Sequence, residues 1–228
     1  MPAHLVKLEA TPDLVDRVYR ALLDAISSGA LAPMQRITQE DIAQQLAVSR
    51  QPVLQALRLL KKDGLVLDAP GRGLQVAPLD AAFIAQVYQV RAALDALAAR
   101  LAAERGAALD PRLIERGRKA AAGRNVAAMI EADLAFHRAV YAASGNPLIE
   151  RSAQLHWSHV RRVMGASLQR STVRAAVWAE HAAVAGAIAA GDAARAERLM
   201  QQHCEHAADH LARRLADTLP HLAQGATG

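Results

Sequence analysis

The sequence predicts a mainly α-helical protein in two parts, a small N-terminal domain of helices with one β-hairpin and an all-α antiparallel helical bundle behind it. Three observations support this prediction. Apolar residues recur at helical spacing along most of the 228 residues. Aromatic residues make up only 3% of the chain, so the core must be mainly aliphatic. The alternation typical of paired strands is clear only around one Pro-Gly turn. We place the boundary between residues 1–78 and residues 79–228.

The first 78 residues predict the order helix, short strand, helix, turn, helix and hairpin. Thr11-Pro12 begins the first helix and Ser28-Gly29 ends it, because Thr favours an N-cap and Pro the first helical turn. The short strand is predicted at residues 35–37. Thr38 caps the second helix, with Asp41 in the capping-box position. The predicted core faces of the three helices are Val15, Val18, Leu22 and Ile26, then Ile42 and Leu46, then Val53, Leu57 and Leu60.

The third helix and the hairpin complete a predicted winged helix-turn-helix. Ser49 caps the helix, which follows the tight turn Ala47-Val48, and Asp63-Gly64 ends it. Strands are predicted at residues 65–67 and 74–76, and the turn between them forms a wing with Arg72 at its tip.

The first turn of the third helix carries side chains that suit DNA recognition. Arg50 can pair bidentately with guanine and Gln51 with adenine, while Ser49 suits a phosphate contact. Arg72 can enter a minor groove or touch the DNA backbone. The candidates for contact with double-stranded DNA are Thr38, Ser49, Arg50, Gln51, Pro52, Arg58, Gly71, Arg72 and Gly73. For Arg58, simple exposure on a solvated helix face remains the competing explanation.

These residues carry a resemblance to the GntR family of bacterial regulators, which spans about residues 19–78. Its most specific part is Val-Ser-Arg-x-Pro-Val at residues 48–53, followed by Gly-Arg-Gly at 71–73. Gln51 and Leu54 depart from the family, which usually has Thr and a DNA-contacting Arg there, so we expect a different operator sequence. We expect two chains to pair as a homodimer whose two recognition helices bind an inverted repeat, as a repressor or as an activator.

Residues 79–228 are predicted to be wholly helical after a short linker, Pro78-Leu79-Asp80. The first helix is expected to bury the stripe Val87, Val90, Leu94, Leu97 and Leu101. Asp110-Pro111 begins the next helix, and further helices are predicted at about residues 125–143, 147–168, 171–189 and 192–219.

Three of these helices carry residues that could bind a metal ion. Asp133 and His137 are four residues apart and share one helix face. His181 and His203 lie about ten residues before and about twelve residues after the turn at Gly191, so both should lie at a similar height in an antiparallel hairpin. Three imidazoles and a carboxylate suit Zn²⁺ or Ni²⁺. Spacing alone leaves open that these are core histidines with ordinary partners, and His206 and His210 compete with His203.

A second resemblance covers about residues 80–215, which look like the FCD ligand-binding domain of FadR-type regulators. Its carrying motifs are Arg91-x-x-x-Asp95, Asp133-x-x-Phe136-His137, Ser144-Gly145-Asn146-Pro147, His181, Gly191-Asp192 and His203. The resemblance implies that Asp133, His137, His181 and His203 bind a divalent metal ion that holds a small organic acid. It makes Arg91, Asn146 and Arg162 candidate effector-binding residues, with Arg161 beside them. A surface ion pair of Arg91 with Asp95 and a helix-start role for Asn146 are the alternatives.

Composition narrows the class of protein. The net charge of +5 is compatible with nucleic-acid binding. A single cysteine, Cys204, excludes an internal disulfide, and neither an apolar leader nor a run of ~18 apolar residues is visible, so we expect a cytoplasmic protein without a membrane segment.

The predicted function is a DNA-binding regulator whose operator affinity depends on an effector at the metal site, which would draw the bundle helices together and tilt the linker at Pro78. One alternative is a metal-dependent hydrolase fused to a DNA-binding domain, with Glu180 as its general base. Another is a metal-free architectural DNA binder. We expect that the protein is not an enzyme.

Overall fold

The computed structural model describes residues 14–167 and 174–225, with side chains described for residues 14–165 and 176–215. The predicted helix start at Thr11-Pro12 lies outside the described residues. The described chain divides into two compact units, an N-terminal unit of residues 14–26 and 30–78 and a C-terminal unit of residues 27–29 and 79–225. The prediction of a mainly helical fold with a small N-terminal sheet is confirmed.

The N-terminal unit is a winged helix-turn-helix. Its elements are α1 (Leu14–Ser28), β1 (Arg36–Ile37), α2 (Gln39–Gln45), α3 (Arg50–Lys62), β2 (Val66–Asp68) and β3 (Leu74–Val76). The three strands form an antiparallel sheet in the order β1-β3-β2, with Val66 opposite Val76. β2 begins one residue later than predicted. Gly71 and Gly73 adopt φ angles of +87° and +100°, a conformation that glycine reaches without a Cβ clash, so the wing turn can present Arg72 between them.

The core of this unit agrees with the predicted apolar faces at most positions. The predicted core positions that are buried are Val18, Leu22, Ile26, Ile42, Val53, Leu57 and Leu60. Leu46 was expected in the core, but 37% of its surface is exposed. The reason is that α2 ends at Gln45, so Leu46 is its C-cap and no longer follows the helical stripe.

The C-terminal unit is a helical bundle. Its elements are α4 (Ala81–Glu104), α5 (Arg112–Ala122), α6 (Val126–Ser144), α7 (Pro147–Ser167), α8 (Arg174–Ala189) and α9 (Ala193–Gly225). α8 and α9 form an antiparallel hairpin around Gly191, whose φ of +69° suits the turn. α9 continues to residue 225, beyond the predicted end near residue 219. None of the described helices is long and apolar enough to cross a lipid bilayer.

The buried face of α4 differs from the predicted one. Val87 is buried, but Val90 is 48% exposed and the leucines of the expected stripe are only partly buried. Small residues, including Ala98 and Ala102, are fully buried instead and allow α4 to pack along α9. The same face also buries Arg91 and Asp95. The predicted stripe was therefore wrong at Val90, while Leu94, Leu97 and Leu101 pack against the core from its edge.

Gly117 of α5 allows close packing against α8, because a Cβ atom there would overlap the indole ring of Trp178. We expect Gly117→Ala to lower the free energy of unfolding by about 1–3 kcal/mol through overpacking. Gly186→Ala is the matched control. Its Cβ would meet nothing within 4 Å on α8, and alanine should stabilise that helix by about 0.5–1 kcal/mol. Urea denaturation of both variants checks this, and equal shifts of the same sign would contradict it.

Candidate metal centre and nucleic-acid interface

Three buried imidazole rings converge inside the C-terminal unit. α6 supplies His137, α8 supplies His181 and α9 supplies His203. Each offers a ring nitrogen, and the three nitrogens lie within 4.8 Å of one another. The Nε2 atoms of His181 and His203 are 3.1 Å apart, as the antiparallel α8–α9 hairpin predicts.

Asp133 lies at the edge of this cluster. Its Oδ1 is 3.6 Å from Nε2 of His181, and its side chain is 13% exposed while the histidines are 0–5% exposed. Asp133 and His137 face the same side because they are one helical turn apart on α6. The four residues that the sequence singled out therefore lie together.

The surroundings of at least two of the rings favour the neutral form of the imidazole. Phe136 stacks on His181 with ring centroids 4.1 Å apart, and the indole of Trp157 lies 5.0 Å from the ring of His137. Burial lowers the pKa of His137, and it lowers the pKa of His181 well below its usual value, helped by the neighbouring His203. Neutral imidazole is the form that binds a metal ion, since it keeps a lone pair.

Two observations test whether these residues fit a metal ion. Both ring nitrogens of His137 are buried and have no hydrogen-bond partner among the described residues, which is costly unless another group satisfies them. Two nitrogens that each lie about 2.0–2.1 Å from one ion are about 2.9–3.4 Å apart at angles between 90° and tetrahedral. The separation of 3.1 Å between His181 and His203 lies within that interval. The donor set fits a zinc-like or nickel-like cation.

Two carboxylates lie next to the Nδ1 atoms of His203 and His137, on the side of each ring opposite Nε2. Glu180 accepts hydrogen bonds of 2.8 Å from Nδ1 of His203 and from Nδ1 of His206. Asp95 places Oδ2 at 3.3 Å from Nδ1 of His137. A carboxylate on Nδ1 favours the tautomer with its hydrogen there, which leaves the Nε2 lone pair directed at the cluster.

Asp95 is a centre of contacts that the sequence did not reveal. It is fully buried and pairs with Arg91, whose Nη2 lies 3.0 Å from its Oδ2. The hydroxyl of Tyr141 donates to its Oδ1, and Sγ of Cys204 lies 3.4 Å from its Oδ2. Burial alone would raise the pKa of Asp95, but Arg91 and His137 hold it well below its usual range. The expected pair with Arg91 exists but lies in the core and not on the surface.

A cavity of about 380 Å³ opens beside the cluster. Arg91, Asp133, His137 and His203 line it, together with Glu180. Its rim adds the side chains of His206, Asp209, His210 and Arg213. The cavity thus joins the candidate metal ligands to two arginines, Arg91 and Arg213, and to the carboxylates of Glu180 and Asp209.

Two of the three candidate effector residues lie elsewhere among the described residues. Asn146 does not line this cavity; its Oδ1 accepts from the backbone N–H of Leu148 at the start of α7. Arg162 is buried on α7 outside the cavity lining, and burial lowers its pKa to about 10. Arg161 lies 3.4 Å from Glu131.

The start of α3 presents an exposed polar surface in the N-terminal unit. Ser49, Arg50 and Gln51 are exposed, and Ser49 is the N-cap but makes no side-chain capping bond within the described chain. Arg50 pairs with Glu40 of α2, with Nη2 2.5 Å from Oε1. Pro52, in contrast, is buried and packs inside the unit.

The remaining DNA candidates fall into two groups. Arg58, Gly71, Arg72 and Gly73 are exposed on α3 and the wing. Thr38 is exposed, but its hydroxyl caps α2, accepting from the backbone N–H of Asp41 and donating to its carboxylate. Arg36 supports the wing through bonds to the backbone carbonyls of Pro70 and Arg72, a contact that sequence reasoning missed.

Comparison with known families agrees with both halves of this description. Residues 14–76 match the family described as bacterial regulatory proteins, gntR family. Residues 86–206, about half of the chain, match the FCD domain. The chain belongs to the GntR family and carries an FCD domain.

Individual relatives of this GntR regulator are transcription regulators too. An uncharacterized HTH-type regulator in an unstable DNA locus of Streptomyces ambofaciens is 28% identical over 86% of this chain and 84% of its own length. A putative L-lactate dehydrogenase operon regulatory protein of Escherichia coli (strain K12) is 28% identical over 84% of this chain and 82% of its own. The solved structure of E. coli McbR/YncC has the same fold, with a TM-score of 0.76 at 20% identity over 90% of this chain and 99% of that one. The families and relatives are regulators, so this protein is not an enzyme.

Removing one partner of the buried Arg91–Asp95 pair should destabilise the FCD domain strongly. Asp95→Asn leaves the Arg91 charge unpaired in the core, and we expect the free energy of unfolding to fall by about 3–5 kcal/mol. The control is Glu104→Gln, which removes a half-exposed i,i+4 pair with Arg100 and should cost no more than about 1 kcal/mol. Urea denaturation with a metal chelator present measures both, and similar losses in the two variants would contradict the account.

Glu180 should raise the metal affinity of the FCD domain without touching the ion. Glu180→Gln weakens the hold on Nδ1 of His203, so we expect the Zn²⁺ affinity to fall about 10–100-fold. Competition against a chromogenic chelator measures it. Glu205→Gln is the control, because that carboxylate bonds to Gln201 and not to a ring of the cluster. Unchanged affinity in Glu180→Gln would show that the contact does not matter for binding.

Proposed function

We propose that this GntR regulator is a metal-dependent sensor of small organic acids that controls transcription as a homodimer on an inverted-repeat operator. The observation that carries the proposal is the convergence of three buried imidazoles beside a cavity that Arg91 also lines. We place the domain boundary at residue 78, between the two matched families. We propose that the protein acts in the cytoplasm and that its partner is double-stranded DNA.

Asp133, His137, His181 and His203 are the proposed metal ligands. Burial lowers the pKa of His137 and of His181, which favours their neutral forms, and the hydrogen bond between Nδ1 of His203 and Glu180 leaves Nε2 of His203 free for the ion. A bound divalent ion, zinc or nickel by the donor set, supplies positive charge and open coordination positions for an acidic ligand.

The effector proposed for the cavity is a small carboxylate or hydroxy acid. A volume of about 380 Å³ suits a small metabolite. Arg91 has a buried Nε without a hydrogen-bond partner in the described part of the chain, so it can donate to an anion while Nη2 stays on Asp95. One relative is named for the operon of an L-lactate dehydrogenase, and lactate is a hydroxy acid of this kind. Asn146 and Arg162 play no part in this proposal, because neither lines the cavity.

DNA recognition is assigned to the first turn of α3 and to the wing. Arg50 and Gln51 are exposed there and suit base edges in the major groove, and Ser49 suits a phosphate. Arg72 lies at the exposed wing tip, where it can follow an adjacent groove. Two such heads in a two-fold homodimer match an inverted repeat.

The metal proposal predicts that the ligand set, and not histidine content, determines binding. The wild-type protein should bind one Zn²⁺ per chain in a chelator competition assay. His203→Ala removes one converging nitrogen and should abolish stoichiometric binding, whereas His206→Ala removes an exposed ring outside the cluster and should reduce affinity less than about tenfold. Similar losses in the two variants, with both still folded by circular dichroism, would contradict the ligand set.

The sensor proposal predicts linkage between acid, metal and DNA. Small hydroxy acids and dicarboxylates should raise the melting temperature of the metal-loaded protein and not that of the chelator-treated protein. An acid that does so should also change operator affinity by about 5–150-fold, the usual range of allosteric coupling. Fluorescence anisotropy with labelled operator measures the change. An acid that binds with full affinity in the presence of chelator would refute the role of the metal.

A further inference from the structure

An acidic side chain lies beside the main base-reading arginine. Glu40 is in the first turn of α2, and its Oε1 is 2.5 Å from Nη2 of Arg50 in the first turn of α3. Their side chains are 71% and 66% exposed, respectively. Both line a groove of about 270 Å³ whose other side includes Gly73 and Leu74 at the base of the wing. The pair therefore lies where the helix start and the wing meet.

A carboxylate at this place has a cost for a DNA-binding surface. It repels the phosphate backbone and neutralises an arginine that could otherwise bind phosphate. The N-terminus of α2 does favour an acid, but Asp41 already provides one in the same turn and is bonded to Thr38. The position of Glu40 is better explained by what its carboxylate does to Arg50.

The chemistry of the guanidinium explains how the pair could work. Arginine has five N–H donors in a rigid fork, so one contact at Nη2 leaves enough donors for O6 and N7 of guanine. A held side chain also loses less conformational entropy on binding. The same contact disfavours rotation of the guanidinium toward a phosphate.

We propose that Glu40 is a specificity-determining residue that holds Arg50 in the orientation that reads guanine. The inference rests on the proposed base-reading role of Arg50. Glu40 acts through Arg50 as a positioning residue. It lowers affinity for DNA in general and raises the preference for guanine at the one base pair that Arg50 contacts.

The test is a double-mutant cycle on base preference. An operator is obtained by in vitro selection with the full-length wild-type protein, and the base pair read by Arg50 is located as the position whose preference disappears in Arg50→Ala. Anisotropy titrations then compare operators with each base at that position, and unrelated DNA, for wild type, Glu40→Gln, Arg50→Ala and the double variant. Asp16→Asn is the control, since it removes an acid of equal charge from an exposed ion pair with Arg20 on α1.

We expect Glu40→Gln to reduce the preference for guanine about fivefold and to tighten binding to unrelated DNA. The slope of log affinity against log salt concentration should become steeper by about 0.9, as for one added phosphate contact. In the Arg50→Ala background Glu40→Gln should no longer change base preference, and Asp16→Asn should not change it in either background. Tighter binding to all sequences with unchanged preference would overturn the proposal and leave only charge repulsion. A change of preference that persists without Arg50 would overturn it in favour of direct contact between Glu40 and a base. If Arg50→Ala alters no base preference, the proposed role of Arg50 itself fails, which is a separate outcome.

Discussion

The structure of the C-terminal unit is constrained by the burial of three imidazole rings inside an aliphatic bundle, with the carboxylate of Asp133 at their edge. Apolar neighbours cannot satisfy ring nitrogens, so each buried nitrogen needs a hydrogen bond or a cation. Glu180 accepts from Nδ1 of His203, whereas Asp95 lies 3.3 Å from Nδ1 of His137 and both ring nitrogens of His137 lack a hydrogen-bond partner among the described residues. A cation among the three rings removes the cost of the arrangement, which is why we interpret the cluster as a metal site and not as a set of ordinary core histidines.

Each unit contains an ion pair between an arginine and an acidic residue, and the two pairs lie in opposite environments. In the C-terminal unit Arg91 and Asp95 are buried together, and burial makes them sensitive to any ion or acid that enters beside them. In the N-terminal unit Arg50 and Glu40 are exposed, so water weakens their mutual attraction.

Helix caps, turn residues and apolar spacing were enough to predict the order of helices and strands. The predictions that failed concern contacts between elements that are distant in the sequence. The starts of α6 and α7 follow from Asn125 as N-cap and Pro147 in the first turn. The proximity of His181 and His203 follows from their similar distances in sequence from the turn at Gly191. The exposure of Val90, in contrast, depends on which side of α4 meets α9, and helical spacing cannot reveal that. The Glu40–Arg50 contact and the central role of Asp95 join residues of different helices, so they too needed coordinates.

The most direct test of the central claim is an X-ray absorption spectrum of the zinc-loaded protein at the metal edge. The account predicts three imidazole nitrogens and a carboxylate oxygen in the first coordination shell, with the imidazole signal reduced in His137→Ala. A shell with fewer than two imidazoles, or a spectrum unchanged by His137→Ala, would contradict the claim that the buried cluster holds the metal.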